Sequence, residues 1–250
     1  MAKRLIVAAV FAVLLAASLC AQTKDFRELL SIGTWDQVQA AIKHGADVNT
    51  WFPDGTTPLM EAAAENQYPE VITVLLKSGA NIGAHDKTNE TALMYAAGSN
   101  QNPVVITVLL KAGAIVNAGN DNGLTALMTA AANNQNPEVI ITLLKAGAKL
   151  EAQDKFGMTP LMFAAKNKNP EVITTLLKAG AKLETQDEYG RTALSYASEN
   201  QGAEVITALL KAGADANVKD GSGKTAYDWA QTNAKLKNTD AYRQLQQASQ

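Results

Sequence analysis

The sequence predicts an all-α solenoid of stacked helix-turn-helix units. Three observations predict it. The Thr that opens each Thr-Pro-Leu or Thr-Ala-Leu segment, with its counterpart Thr225, falls at Thr57, Thr91, Thr125, Thr159, Thr192 and Thr225, at intervals of 34, 34, 34, 33 and 33 residues. A second marker, the Gly of Lys-Ala/Ser-Gly-Ala, falls at Gly79, Gly113, Gly147, Gly180 and Gly213, at 34, 34, 33 and 33. Within each interval lie two apolar stretches of helical period. Units of this size cannot bury an apolar face alone and gain a core only by stacking.

The first residues stand outside this pattern. Lys3 and Arg4 precede a wholly apolar run from Leu5 to Ala17, and small residues follow up to Ala21. A positive start, a short apolar stretch and a small-residue end form a secretory signal peptide, expected over 1–21 and cleaved after Cys20 or Ala21. Two other readings remain open at this point. Cys20 could be lipidated, although Leu19 is larger than the usual preceding residue. The apolar run could also stay as an anchor, being just long enough if Ser18 is tolerated. With cleavage, the mature chain has no integral span.

The repeating domain is expected over 22–250. Its N-terminal cap, about 25–51, has a polar first helix near Phe26 to Ile32 and a second around Trp35 to His44. Full units follow at about 52–85, 86–119, 120–153, 154–186 and 187–219. In the fourth, Gly157 permits a tight turn, Thr159 caps a helix through its hydroxyl, and Pro160 suits the first helical position. Ala164 and Ala165 let neighbouring helices approach. Asn169 and Pro170 start a second helix, whose Val172, Ile173, Leu176 and Leu177 form the buried stripe. Lys178 sits in its last turn, and Gly180 ends it in the left-handed conformation. The first three full units carry an extra residue, expected in the loop between their helices. A polar cap over 220–250, rich in Gln and Ala near its end, closes the stack.

Asp-x-x-Gly-x-Thr-Pro-Leu, then Ala-Ala, then Val-Ile-x-x-Leu-Leu-Lys-x-Gly-Ala strongly resembles the ankyrin repeat, over about residues 25 to 235. Thr159-Pro160-Leu161, Ala164-Ala165 and Leu176 to Ala181 match position by position. The resemblance implies a helix-loop-helix with a hairpin finger at each unit boundary. Two departures stand out. Where the family usually has His after Thr-Pro-Leu, tying units by hydrogen bonds, this chain has Met60, Met94, Met128, Met162 and Ser195. Packing is then expected to replace the polar ladder, with some loss of rigidity. Asn89 replaces a turn Gly, which Asn can tolerate.

Chemistry is scarce. The formal charge is −2, and removing Lys3 and Arg4 leaves 20 basic against 24 acidic side chains. That balance gives nucleic acid and anionic membranes no electrostatic hold. Cys20 is the one cysteine, so no disulfide framework exists. His44 and His85 lack further ligands at metal spacing. Gly221-Ser222-Gly223-Lys224-Thr225 imitates a phosphate loop, but Val218 stands where that loop needs Gly. No cofactor, metal or enzymatic activity is expected.

The resemblance implies that a protein partner meets the fingers and the exposed side of each first helix. The variable positions are the two residues before the finger Gly, the one after it, and the two after Ala-Ala. There the third to fifth units carry Leu124, Lys155, Phe156, Met158, Lys166, Tyr189 and Arg191, with Glu188, Glu199 and Asn200 completing the fifth. Aromatic side chains with Arg are the usual composition of binding hot spots. Two readings of Phe156 and Tyr189 stand: the centre of a binding patch, or side chains that lean on the next finger and stabilise the stack. The Met60 to Met162 stripe likewise reads as packing or as a soft binding surface. The expected function is a monomeric binding scaffold, exported to a periplasm or secreted. The alternative is a secreted effector that modulates a host or competitor protein.

Overall fold

A computed structural model describes residues 26–249 except 168 and 201. The signal peptide expected over 1–21, with Cys20, lies outside the described residues. Helix α1 spans 26–32. It is followed by α2 (Trp35–Lys43), α3 (Pro58–Glu65), α4 (Pro69–Lys77), α5 (Ala92–Ser99), α6 (Pro103–Lys111), α7 (Ala126–Asn133) and α8 (Pro137–Lys145). Then come α9 (Pro160–Lys166), α10 (Pro170–Lys178), α11 (Ala193–Glu199), α12 (Ala203–Lys211), α13 (Ala226–Thr232) and α14 (Asp240–Ala248). The first helices α3, α5, α7, α9, α11 and α13 pack in chain order, as do the second helices α2 to α14.

Local chemistry starts most of the helices. The hydroxyls of Thr57, Thr91, Thr125, Thr192 and Thr225 accept from backbone N–H groups three residues on. Asn102, Asn136 and Asn169 cap α6, α8 and α10 ahead of a Pro at the first helical position. Gly180, at φ 94, takes the left-handed turn that ends α10. Between the two rows runs one continuous core. Leu93, Leu127, Leu161 and Leu194 from first helices meet Ile106, Ile140, Ile173 and Ile206 from second helices, all buried. Truncating one such side chain costs about 2–5 kcal/mol. Met60, Met94, Met128 and Met162 are buried too, so the stripe is part of the packing.

The extra residue of the 34-residue units does not lie in the loop. Helices α3, α5 and α7 have 8 residues, whereas α9, α11 and α13 have 7. Asn66 N–H returns to Ala62 O, four residues back, and Asn167 N–H to Ala164 O, three back. The helix absorbs the insertion because its C-cap Asn is held in place from outside.

That hold is a polar ladder, contrary to the expectation of packing alone. The Nδ2 of Asn100 donates to Ala63 O at 3.0 Å and Asn66 O at 2.8 Å. Asn66, Asn134, Asn167 and Asn233 bond to the preceding unit in the same way. Asn200 makes no such bond among the described residues: its Nδ2 donates to Tyr196 O in its own helix.

The fingers are hairpin turns. Their strand pairing among the described residues amounts to two isolated bridges, His85 with Thr91 and Gly119 with Thr125. In the fourth unit Asp154 N–H donates to Met158 O, and Asp154 Oδ1 accepts from Phe156 N–H at 2.9 Å and Met158 N–H at 2.8 Å. From the second finger on, each is stitched to the next through the backbone: Asp121 N–H to Thr88 O, Lys155 N–H to Asn122 O and Glu188 N–H to Phe156 O, all 2.9 Å, and Gly221 N–H to Tyr189 O at 2.7 Å. Gly157, at φ 77, lies so close to the next finger that a Cβ would stand 3.2 Å from Asp187 Cα. Asn89 takes the left-handed turn at φ 63 and donates through Nδ2 to Asp121.

Candidate functional site

Where the fourth and fifth fingers overhang α9 and α11, the surface dips into an open recess of about 530 Å³. Phe156 and Tyr189 come from the fingers, Lys166 from the end of α9, and Arg191, Tyr196, Glu199 and Asn200 from the fifth unit; Met158 lies beneath. The finger turns fix the first two. Asp154 and Asp187 each accept N–H bonds two and four residues on, which clamps the loops and leaves the intervening ring pointing away from the core. Phe156 is 48 % exposed and Tyr189 60 %. Neither ring belongs to the buried core.

Beneath the fingers the aromatic rings are anchored. Tyr196 O–H donates to the Asp187 carboxylate. Burial first, then this hydrogen bond, pushes the Tyr196 phenol well above its ordinary range, so it is a neutral donor. One unit on, Trp229 Nε1 donates to Asp220 Oδ2 at 2.9 Å. Burial works against ionisation of Asp220, but donors from Ser222, Lys224 and Trp229 outweigh it and bring the carboxyl down to about 2.

Cations lie on these rings. Lys166 Nζ stands 4.7 Å from the Tyr196 ring centre. Arg191 lies 5.7 Å from Tyr196 and 4.3 Å from Trp229, and Lys224 lies 4.3 Å from Trp229. Arg191 also donates to Glu199 at 2.9 Å. The result is a continuous row, Lys166, Tyr196, Arg191, Trp229, Lys224, across three units.

Of the seven residues singled out from the sequence, the recess gathers Phe156, Met158, Lys166, Tyr189 and Arg191. Met158 needs correction: it is 7 % exposed and joins the core, because its N–H is drawn back to Asp154 and its side chain turns inward. It forms a floor and does not project. Leu124 is half-buried and Lys155 exposed, and neither lines the recess. Tyr196 and Trp229 were missed. Their signal was a shared position, four residues after the capping Thr, where Tyr95 also bonds its finger carboxylate, Asp86, at 2.9 Å.

Other hollows lie between successive second helices, α2 with α4, α6 with α8 and α10 with α12. They recur at equivalent repeat positions and follow from stacking itself. Among the described residues no group of three or more His, Cys, Asp or Glu is placed to hold a metal ion, and no helix is long and apolar enough to cross a membrane.

The family model described as ankyrin repeats (3 copies) matches residues 60–154 and 131–220. No curated protein sequence matches the chain. Among solved structures, the chain is similar to the ankyrin repeat domain of Bcl-3, described as a unique member of the IkappaB protein family. The identity is 27 % and the TM-score 0.66, over 87 % of this chain and 97 % of that one. Motif, stacking order and family match agree: the chain belongs to the ankyrin-repeat family, whose fold is non-catalytic and generally serves as a protein-binding module.

Proposed function

We propose that the chain is a monomeric scaffold that holds a protein partner in the recess of its fourth and fifth units, and that it works outside the cytoplasm. The observation that carries the binding reading is the pairing of two half-exposed rings, Phe156 and Tyr189, with cations ordered on Tyr196 and Trp229. Exposed aromatic rings on a rigid support lose little entropy on binding, and Arg beside them is typical of interface centres. The export reading is supported by the residue order of 1–21, positive, apolar, then small.

A Phe156→Ala/Tyr189→Ala variant tests the first part, using crosslinking pull-down of the partner and a thermal melt. Loss of partner with an unchanged melt supports the recess. A large fall in melting temperature with the partner retained assigns the two rings to stacking and removes the proposal. Cell fractionation tests the second part. Recovery from the periplasm supports the scaffold, recovery from the medium or from target cells favours the effector, and retention in the cytoplasm ends the export reading.

A further inference from the structure

We infer that the recess takes an extended acidic peptide segment of the partner, with an apolar or aromatic anchor set between carboxylates. The inference rests on the binding reading above and names the chemistry of what binds. It begins with where the charges go. Three carboxylates beside the row, Asp187, Asp220 and Asp228, are held by hydrogen bonds within the fold, whereas Glu188 and Glu199 are exposed. Asp187 Oδ1 accepts from Tyr189 and Arg191 N–H, and its Oδ2 from Tyr196. Asp220 Oδ1 accepts from Ser222 and Lys224 N–H, and its Oδ2 from Trp229. Asp228 accepts from Thr225 N–H. Glu199 is paired with Arg191.

The cations are treated differently. Among the described residues no carboxylate pairs with Lys166 or Lys224. Each ammonium instead lies on an aromatic face, at 4.7 Å and 4.3 Å. A Lys side chain held this way has already lost much of the freedom that binding would cost it, while its outward N–H donors remain for an acceptor. The two ammonium groups bracket the neutralised Arg191–Glu199 pair along the stack. Two cations ordered in a line favour carboxylates at separate points of one extended segment, not a single anion.

The apolar half comes from Phe156 and Tyr189, with Met158 as floor. A polyanion without apolar groups would leave these rings wet and gain only the electrostatic part. An apolar side chain carried between acidic ones uses both halves.

The test uses the full chain and a labelled synthetic peptide alternating Glu and Phe. Control probes are a Gln/Phe peptide, a Glu/Gly peptide and a single-stranded oligonucleotide. Fluorescence anisotropy should show the Glu/Phe peptide bound more tightly than either control peptide, and more weakly as salt rises. Lys166→Gln and Lys224→Gln should each weaken it about tenfold, the loss of one charge-assisted contact. Lys211→Gln, at the end of α12 in its hollow with α10 and outside the recess, should leave it unchanged. All three positions are exposed, so a thermal melt should confirm that folding is intact. Equal binding of the Gln/Phe peptide, indifference to both Lys changes, or tighter binding of the oligonucleotide would each overturn the inference. If Phe156→Ala/Tyr189→Ala abolishes partner capture while the Glu/Phe peptide fails to bind, the recess stands and the acidic chemistry falls.

Discussion

The side-chain amide of Asn134 donates to the backbone carbonyl of Asn100, 2.9 Å away across a unit boundary. Asn100 makes the same bond to Asn66. Asn66, Asn100 and Asn134 are fully buried, so each bond satisfies a carbonyl that has no access to water. Replacing Asn100 by Ala removes two interunit bonds and the acceptor for Asn102 N–H. The expected loss is about 2–4 kcal/mol, from two buried carbonyls and one amide left unpaired. Asn200→Ala, which loses a bond within its own helix, should cost under about 1 kcal/mol. Urea unfolding of both variants decides it. Equal losses would show that the ladder contributes nothing beyond local capping.

The joint between the fifth and sixth units holds a second irregularity. Ser198 is fully buried, and its Oγ has no hydrogen-bond partner among the described residues. The equivalent residues Ala63, Ala97, Ala131 and Ala165 bring no hydroxyl to this place. An unpaired buried hydroxyl costs about 1–3 kcal/mol, so Ser198→Ala should raise stability by about 1 kcal/mol. The measurement is the shift in urea midpoint at constant slope. A drop in stability would mean that the hydroxyl is satisfied in solution.

How far the sequence could be read depended on what each residue does. The helices were legible because their signals are local: Thr125, Pro160, Asn169, Pro170 and Gly180 each act within a turn of where they stand. The stacking was legible because Leu161, Ile173 and Leu176 recur at the unit interval with no polar alternative. The Asn ladder was not. Asn66 and Asn100 look like ordinary polar loop residues, and only the neighbouring unit supplies the carbonyls that bury them. For the same reason the extra residue was assigned to the loop, when the pinned Asn pushes it into α3, α5 and α7. In the site, Phe156, Tyr189, Lys166 and Arg191 could be found from repeat position. Met158 could not be told apart from them, because a finger residue turns in or out according to backbone bonds to Asp154. The cation row was hidden because it joins Lys166 to Tyr196, and Arg191 to Trp229, across unit boundaries.

Asp220 links this region to pH. Its carboxyl lies at about 2, against an ordinary value of 3.8, because donors from Ser222, Lys224 and Trp229 outweigh burial. A depressed carboxyl contributes stability that is fully present above its unfolded value and is lost as pH falls towards the folded one. The Asp220 contribution should therefore be constant above about pH 4 and disappear between about pH 4 and pH 2. Asp220→Asn is a mild probe, since Asn120 already closes the third finger with the same two backbone bonds. The variant should be less stable than the parent at neutral pH, and the gap should narrow below about pH 4. Stability curves that stay parallel down to pH 2 would refute this.

Arg27 ties the N-terminal cap to the rest. Its guanidinium bonds to Asp54 in the first finger and Glu61 in α3, and lies 4.9 Å from the Phe52 ring centre. The group is partly exposed, so the ion pairs alone contribute about 1 kcal/mol or less. Position matters more than this magnitude. In a solenoid each unit gains stability from its nearest neighbours, and an end unit has one neighbour only. Arg27→Ala should thus leave the main unfolding transition within about 1 kcal/mol of the parent, yet loosen the end. Hydrogen exchange should show faster exchange in α1 and α2 and unchanged protection from α9 to α14. Protection lost evenly along the chain would mean that the stack unfolds as one block, and that Arg27 contributes to that block and not to its end.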